Sequence, residues 1–249
     1  MRQTENTSLF TGKAAVYDSS RPEYPGEALD CIAEQCGLAP GAVVADIGAG
    51  TGKFTKQLLA RGYRVTAVEP NADMRGALRA ALGENPGIQI IAAPAEATTL
   101  ASSSADAITA AQAFHWFDHA ACKTEFARIL KSGGKVALLW NNRDPDMELS
   151  REFGNLTAKY RKREAVRSDQ LSKVYSSFFA SHEVFSFLNT QRMNWDGFWN
   201  LILSRSYSPL PGEENYAELE TAAEKLFDKH QADGFIDIFY KTGVVIGKL

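Results

Sequence analysis

Long apolar runs, paired cysteines and a strong charge of either sign are all scarce in this chain. No apolar run approaches the ~20 residues that a helix needs to cross a bilayer, and the amino-terminal residues M-R-Q-T-E-N-T-S contain no apolar signal-peptide core. Cys31, Cys36 and Cys122 form no C-x-x-C, which argues against a disulfide framework and a zinc site. The formal net charge of -3 gives no general attraction to nucleic acid or anionic membranes. We therefore expect a cytoplasmic protein with no metal and no membrane partner, for which a nucleic-acid partner is disfavoured.

Strand-like and helix-like segments alternate between residues 42 and 140. With 249 residues, 45% of them hydrophobic, the chain is large enough for one large α/β domain or two small ones. The pattern predicts strands at 42–47, 63–68, 88–92, 105–110 and 134–140, and helices at 27–36, 52–60, 71–82 and 119–130. Continuous apolar strands are typical of a parallel sheet buried on both faces. The predicted fold class is therefore a doubly wound α/β sheet.

The pattern changes after residue 142. It predicts helices within 147–180 and at 195–203 and 216–230, a strand or extended connection at 183–193, and a hairpin over 235–249 about Thr242 and Gly243. No internal repeat or linker divides the chain. We therefore expect one domain, with a core formed by residues 27–142 and 216–249 and a helical cap formed by 1–26 and 145–215.

A glycine-rich turn follows the first predicted strand, in the sequence A-V-V-A-D-I-G-A-G-T-G-K-F from Ala42 to Phe54. Three glycines at alternate positions, Gly48, Gly50 and Gly52, let the backbone approach a ligand with no Cβ in the way. The unpaired N–H groups of the next helix favour an anionic group there, and a neighbouring threonine, Thr51, is a candidate cap.

The residues after the turn narrow the choice of ligand. Lys53 stands where the dinucleotide fingerprint G-x-G-x-x-G requires its third glycine, and no P-loop pattern G-x-x-x-x-G-K-[ST] is present. Glu69 ends the second predicted strand, 17 residues after Gly52. A carboxylate at that position can accept hydrogen bonds from both ribose hydroxyls of an adenosine ligand. A nicotinamide-dependent oxidoreductase is thus the weaker interpretation.

Residues 9–142 resemble the class I S-adenosylmethionine-dependent methyltransferases, with the family's motifs in order. The matching stretches are D-I-G-A-G-T-G, V-E-P-N-A-D-M, A-A-P-A-E-A, A-I-T-A-A-Q-A-F-H-W-F-D and R-I-L-K-S-G-G-K-V-A-L-L-W. The A-F-H-W-F-D form, with Y-D-S-S-R-P-E-Y-P upstream, is most similar to the methyltransferase type 11 branch that contains the trans-aconitate methyltransferase-like enzymes. The resemblance implies a mostly parallel seven-stranded sheet with an antiparallel C-terminal hairpin, and S-adenosylmethionine as cofactor, with S-adenosylhomocysteine as product.

The resemblance also implies which residues bind the cofactor. The glycine turn would receive the methionyl carboxylate, Glu69 the ribose diol, and the turn at Ala95 and Glu96 the adenine, with Pro70 or Met74 nearby. Residues 112–114 would line the path beside the sulfonium, which an aromatic wall can favour by cation–π attraction. Tyr17 and Arg21 would close over the carboxylate end. The implied set is Tyr17, Arg21, Asp46, Gly48, Ala49, Gly50, Thr51, Gly52, Glu69, Pro70, Met74, Ala95, Glu96, Gln112, Ala113 and Phe114.

The methyl acceptor is less well specified by the sequence. His115 follows the fourth strand at the edge where ligands bind, so it is a candidate general base, although it could equally fix the loop or shape the pocket. Asp118 is a candidate helix cap. Arg143 could bind an acidic group or pair with a neighbouring aspartate, Asp144 or Asp146. The candidate acceptor-binding residues are Trp116, Trp140, Asn142, Arg143, Arg205 and Tyr207.

The predicted activity is methyl transfer to a small organic acceptor, with a carboxylate or hydroxyl favoured, by a monomer or homodimer. A basic run from Lys159 to Arg163, with Arg167 beyond it, keeps an RNA or protein methyltransferase open as an alternative. A non-catalytic cofactor-binding relative is a further alternative, since methyl transfer itself requires no particular side chain. Each of these interpretations uses the same glycine turn.

Overall fold

The structure is a computed structural model that describes residues 20–160, 168–205, 207–209 and 211–249. In these ranges seven strands form one sheet: β1 (Val43–Ile47), β2 (Arg64–Val68), β3 (Ile88–Ile91), β4 (Ala105–Ala111), β5 (Leu130–Arg143), β6 (Ser181–Met193) and β7 (Ile236–Lys248). Their order is β3-β2-β1-β4-β5-β7-β6. The first five strands are parallel, and β7 runs antiparallel to both β5 and β6. The predicted doubly wound, mostly parallel seven-stranded sheet is confirmed.

Helices flank the sheet: α1 (Gly26–Cys36), α2 (Lys53–Ala60), α3 (Ala72–Leu82), α4 (His119–Ile129), α5 (Glu148–Ala158), α6 (Ser168–Phe178), α7 (Trp195–Leu203) and α8 (Tyr216–His230). Local signals fix several ends. Gly37 ends α1 at a φ of 63°, a conformation that glycine adopts without a Cβ penalty. Asn71 begins α3, with its side chain accepting a bond from the Met74 N–H. None of the helices in the described ranges is long and apolar enough to cross a membrane.

Three buried clusters hold these elements together. One lies between the sheet and α4 and α6 and includes Phe126 and Phe178. A second, on the α1 and α2 side, includes Leu29 and Leu58. The third lies among α5, α7 and α8 and contains the fully buried Phe153. Burial on both faces explains why β1 and β4 are mostly apolar and do not alternate with polar residues.

The strand order determines where a ligand site belongs. The chain passes from β1 outward through β2 to β3, and then returns to the other side of β1 as β4. In open α/β sheets ligands bind beyond the carboxyl ends of the strands at such a switch point. The loops that follow β1 and β4 meet at this edge, and they are the loops that carry the glycine turn and His115.

The predicted hairpin about Thr242 and Gly243 is wrong. β7 runs through both residues without a turn, because Thr242 is fully buried within the sheet and its hydroxyl donates to the side chain of Asn141 on β5. The antiparallel partner of β7 is β6 along all thirteen residues of β6. This strand falls inside the range 145–215 that we assigned to the cap, so that part of the cap belongs to the sheet. The other proposed domain boundaries remain predictions.

Candidate functional site

The three glycines of the turn have different neighbours. All have positive φ, 71° at Gly48, 59° at Gly50 and 90° at Gly52. A Cβ on Gly48 would lie 2.6 Å from the Ala113 Cβ, and one on Gly52 would lie 2.3 Å from the Leu78 Cδ1. A Cβ on Gly50 would meet nothing within 4 Å. Close neighbours and positive φ therefore disfavour side chains at the outer two positions, whereas open space lies beside Gly50.

The carboxylate of Glu69 joins the glycine turn to the end of β2. Its Oε2 accepts a hydrogen bond from the Gly50 N–H at 2.9 Å, and its Oε1 accepts one from the Asn71 N–H at 2.8 Å. Burial raises its pKa, while the two backbone N–H donors and Arg75 act in the opposite direction. A carboxylate offers about four lone-pair sites, so Glu69 keeps acceptor capacity for hydroxyl donors beside Gly50.

Asp46 is buried beneath the turn and does not line its surface. It is 0% exposed, and its two oxygens accept hydrogen bonds from the Thr55 hydroxyl at 2.6 Å and the Thr109 hydroxyl at 3.0 Å. Burial raises the pKa of Asp46 to about 6, although these two hydroxyls lower it. Its place in the structure corrects our expectation of direct ligand contact: Asp46 ties β1 to α2 and β4, and thereby positions the turn.

We predict that Asp46→Asn raises stability at neutral pH. Because the pKa of Asp46 is about 6 in the folded protein against 3.8 when unperturbed, its contribution to stability is full below pH 3.8 and is lost as the pH rises through 6. The difference corresponds to a penalty on the order of 3 kcal/mol above pH 6. An asparagine carries no charge there, so the variant's urea midpoint should exceed that of the wild type at pH 7.5 and converge with it near pH 4.

The control for this measurement is Asp237→Asn on the exposed side of β7. Its unfolding curves should follow the wild type at every pH. Equal midpoints of wild type and Asp46→Asn from pH 4 to pH 7.5 would show that the buried carboxyl group does not titrate as described.

The loop after β4 brings a different aromatic ring to the turn than we expected. Phe114 is 2% exposed, stacks on His119 with ring centroids 4.4 Å apart, and belongs to the core. Its core position corrects the prediction that it lines a ligand path. Instead, the Phe117 ring lies 3.2 Å from the Cβ position of Gly48. Phe117 follows the 3₁₀ turn Phe114–Trp116 and packs edge-on against Phe114, with ring centroids 6.1 Å apart.

His115 lies in the same loop, and its surroundings disfavour the protonated form. Its pKa is lowered to about 4, first by desolvation and then by the positive charges of His119 and Arg21. The residue as a whole keeps solvent exposure, so water softens this shift, but the three causes act in one direction. A histidine with a depressed pKa is a weak base, which favours a shaping or hydrogen-bonding role over that of a strong general base.

Two acidic residues connect the neighbouring loops. The predicted cap at Asp118 is confirmed, since its Oδ1 accepts hydrogen bonds from the N–H groups of Ala120 and Ala121 at 3.0 Å each. Glu96 accepts a hydrogen bond from the Asp118 N–H at 2.8 Å. One oxygen of Glu96 thus joins the loop after β3 to α4. The predicted contact between Glu96 and adenine would use the remaining acceptor positions of the carboxylate.

The other residues predicted to bind the cofactor differ in accessibility. Ala49 and Gln112 are partly exposed, Pro70 is exposed, and Thr51, Met74, Ala95 and Ala113 are buried. Thr51 does not cap α2: the N-cap is Gly52, with no side-chain hydrogen bond. Gln112 has a φ of 55° and donates from Nε2 to the carbonyl oxygen of Asn141 at 3.2 Å. Tyr17 lies outside the described residues.

The charges of Arg21, Arg143 and Arg205 all act on the buried Tyr240 of β7. The guanidinium carbons of Arg143 and Arg205 lie 4.0 and 5.3 Å from the ring centroid of Phe153. Tyr240 is 3% exposed. Burial raises its pKa, and the charges of Arg205, Arg143 and Arg21 oppose that rise. Because Arg21 also acts on His115, the arginines and His115 belong to one positively charged region.

The candidate residues near Arg143 lie on two different sides of the sheet. Asp144 and Asp146, its suggested surface partners, both pair with Lys241, at 2.9 and 2.7 Å. Trp140 packs against Tyr175 of α6, with centroids 5.8 Å apart. Alternation along a strand then places the exposed Asn142 on the Trp140 side and Arg143 on the other. Strand geometry thus separates Trp140 and Asn142 from the arginines. Tyr207, two residues after Arg205 in the sequence, is partly buried.

Two other features of the described residues resemble ligand sites. Glu148, Glu152 and His230 cluster at metal-ligand distances, but the Lys229 ammonium lies against both carboxylates. A pocket of about 430 Å³ lies at the opposite edge of the sheet, near Gly37 and Gly133. Its two charged side chains, Asp106 and Lys131, are paired at 2.8 Å. The glycine turn therefore gives the stronger argument for a ligand.

Comparisons with known proteins agree with this geometry. A family described as "Methyltransferase domain" matches residues 45–138. An uncharacterised methyltransferase of Mycobacterium tuberculosis is 42% identical over 155 residues, which cover 61% of this chain and 60% of that protein. This chain thus matches about 60% of the length of the first curated relatives.

Solved structures show the same fold. A protein of Anaeromyxobacter dehalogenans, provisionally assigned as a type II methyltransferase, has a TM-score of 0.65 at 24% identity, covering 92% of this chain and 97% of that one. Phosphoethanolamine N-methyltransferase 2 of Haemonchus contortus, solved with phosphomonomethylethanolamine and S-adenosylhomocysteine, has a TM-score of 0.61 at 15% identity. The match covers 100% of this chain and 60% of that enzyme. At these identities the likeness concerns the fold alone.

Proposed function

We propose that this chain is a class I S-adenosylmethionine-dependent methyltransferase that transfers a methyl group from S-adenosylmethionine to a small organic acid. The observation that carries the proposal is the open space at Gly50 beside the carboxylate of Glu69. Both groups lie at the switch point of the sheet, where such folds bind ligands.

The residues around the turn fit the chemistry of this cofactor. Glu69 can accept hydrogen bonds from two ribose hydroxyls, and the amino-terminal end of α2 suits the methionyl carboxylate. Phe117 adds an aromatic ring beside the turn, which favours a cationic group. When bound, S-adenosylmethionine supplies an electrophilic methyl group on a sulfonium. The protein's task is to bind and orient the acceptor and to exclude water.

The acceptor is proposed to carry a carboxylate or another anionic group. Arg21, Arg143 and Arg205 bring positive charge to one region beside His115, and guanidinium groups bind carboxylates in a bidentate geometry. A carboxylate is already ionised at pH 7 and needs no base to remove a proton. The low pKa of His115 fits such an acceptor better than it fits an alcohol.

Calorimetric titration tests the cofactor assignment. S-adenosylhomocysteine should bind with micromolar affinity, and a nicotinamide dinucleotide should give no binding heat. Binding of the dinucleotide but not of S-adenosylhomocysteine would replace the proposal with an oxidoreductase. A screen of small carboxylic acids and phenols for release of S-adenosylhomocysteine then identifies the acceptor, with tRNA and protein included as the competing substrate classes.

We predict that Arg205→Ala and Arg143→Ala each raise the KM for the acceptor about tenfold or more. Losing a charge-assisted hydrogen bond costs roughly 1.5–3 kcal/mol, and the affinity for S-adenosylhomocysteine should change little. Arg64→Ala, an exposed arginine at the start of β2, is the matched control and should leave both constants unchanged. Unaltered KM values in both site variants would remove the arginines from the acceptor site.

A further inference from the structure

The outer edge of β6 has the features of an unprotected strand. β6 pairs with β7 along one side, and it is the last strand in the sheet order among the described residues. Val184 and Leu188 on this strand are 64% and 78% exposed. Natural edge strands are usually blocked by proline, by lysine or by a bulge. β6 contains neither proline nor lysine, its charged Glu183 and Arg192 lie toward its two ends, and it pairs with β7 in unbroken register.

We propose that two copies of this chain pair antiparallel through β6, with Ser186 opposite Ser186 of the partner subunit. A two-fold axis through Ser186 makes such an interface self-complementary. In this register Val184 lies opposite Leu188 of the partner subunit, on the face where both side chains are exposed. The register makes an apolar pair twice, once on each side of the axis.

The same register also pairs favourable side chains on the opposite face of the two strands and brings no like charges together. Phe185 lies opposite Phe187 of the partner subunit, and aromatic pairs across strands are favourable. Glu183 lies opposite Asn189 of the partner subunit, and His182 lies opposite Thr190 of the partner subunit, so no like charges face each other. A four-residue shift, which centres the axis on Leu188, would set Val184 against the charged Arg192 of the partner subunit. The sequence of β6 thus favours the register centred on Ser186 over that one.

The pairing leaves the methyl-transfer site accessible. β6 is separated from β1 by β4, β5 and β7 in the sheet, and the glycine turn follows β1. A variant that does not dimerise should therefore keep its affinity for S-adenosylhomocysteine. An experiment that disproves the dimer would therefore leave the proposed enzymatic function standing, and the reverse also holds.

Sedimentation velocity of the full chain from 1 to 200 µM tests the interface. We expect a monomer–dimer equilibrium for the wild type and a monomer for Leu188→Lys at all these concentrations. Met147→Lys replaces another exposed apolar residue, 36% exposed and outside β6, and should dimerise like the wild type. A wild type that is monomeric throughout, or a Leu188→Lys variant that dimerises like the wild type, would overturn the proposal.

A cysteine pair tests the register independently of solubility or stability. In a background carrying Cys31→Ser and Cys36→Ser, Ser186→Cys faces its own copy at a Cα–Cα distance of about 4.5–5.5 Å, which a disulfide can span. Thr190→Cys is the control, because the two copies of residue 190 lie about 27 Å apart at eight strand positions. Rapid oxidation to a covalent dimer only with Ser186→Cys is the expected result. Equal rates for the two variants would disprove the register.

Discussion

Gly50→Val abolishes the binding of S-adenosylhomocysteine, with a loss of about 100-fold or more by calorimetry. Its branched side chain would fill the open space at Gly50, where a Cβ meets nothing within 4 Å. Since no protein atom clashes there, the loss arises from exclusion of the ligand. The glycine's φ of 59° adds backbone strain of about 1–2 kcal/mol to any substitution, so the experiment needs a control for strain.

Gly37→Ala provides that control when compared with Gly50→Ala. Gly37 has a φ of 63°, and its Cβ position is also free of contacts within 4 Å, but it ends α1 at the opposite edge of the sheet. Both alanine variants should lose the same stability in urea, and only Gly50→Ala should lose cofactor affinity. Micromolar affinity retained by Gly50→Val would mean that the turn does not hold the ligand.

Glu69→Ala lowers the affinity for S-adenosylhomocysteine by about 100-fold. The substitution removes the acceptor for the ribose hydroxyls and leaves the N–H groups of Gly50 and Asn71 without their present bonds. Hydrogen bonds to charged groups contribute roughly 1.5–3 kcal/mol each, and two of them account for a loss of this size after partial compensation by water. Glu69→Gln, which keeps one carbonyl oxygen, should show a smaller loss.

A modified ligand distinguishes two causes of the affinity loss in Glu69→Ala, the missing acceptor for the ribose and a distorted glycine turn. The 2′-deoxy form of S-adenosylhomocysteine should bind wild-type protein about tenfold more weakly than the parent ligand. With Glu69→Ala the two ligands should bind equally, because the hydroxyl has lost its acceptor. A variant that still discriminates fully between the ligands would show that another group recognises the ribose.

Much of the α/β core was predictable because its signals are local. The strands between Val43 and Trp140 are rich in apolar residues, and the helix ends follow from residues such as Gly37, Asn71 and Asp118. The meeting of the loops after β1 and β4 follows from chain order and the switch-point rule. It is confirmed by the close approach of Gly48 and Ala113.

Long-range pairing was harder to predict from the sequence. The strand character of Ile236–Lys248 was recognised, but Thr242-Gly243 has the composition of a turn, and only pairing with both β5 and β6 keeps it extended. The roles of Asp46 and Phe114 were misread for a related reason. The position of each residue in its motif placed both beside the ligand. In the structure, Asp46 is buried and accepts hydrogen bonds from Thr55 and Thr109, and Phe114 stacks on His119 in the interior.

The glycine turn is held in shape by three separate parts of the protein. Glu69 binds the Gly50 N–H, Ala113 lies against Gly48, and Leu78 lies against Gly52. A turn fixed in this way need not fold when a ligand arrives, so little ordering entropy opposes binding. The heat-capacity change of binding should therefore correspond to the ligand's own buried surface. The association rate at this turn should rise linearly with ligand concentration, without the plateau that a slow conformational step imposes.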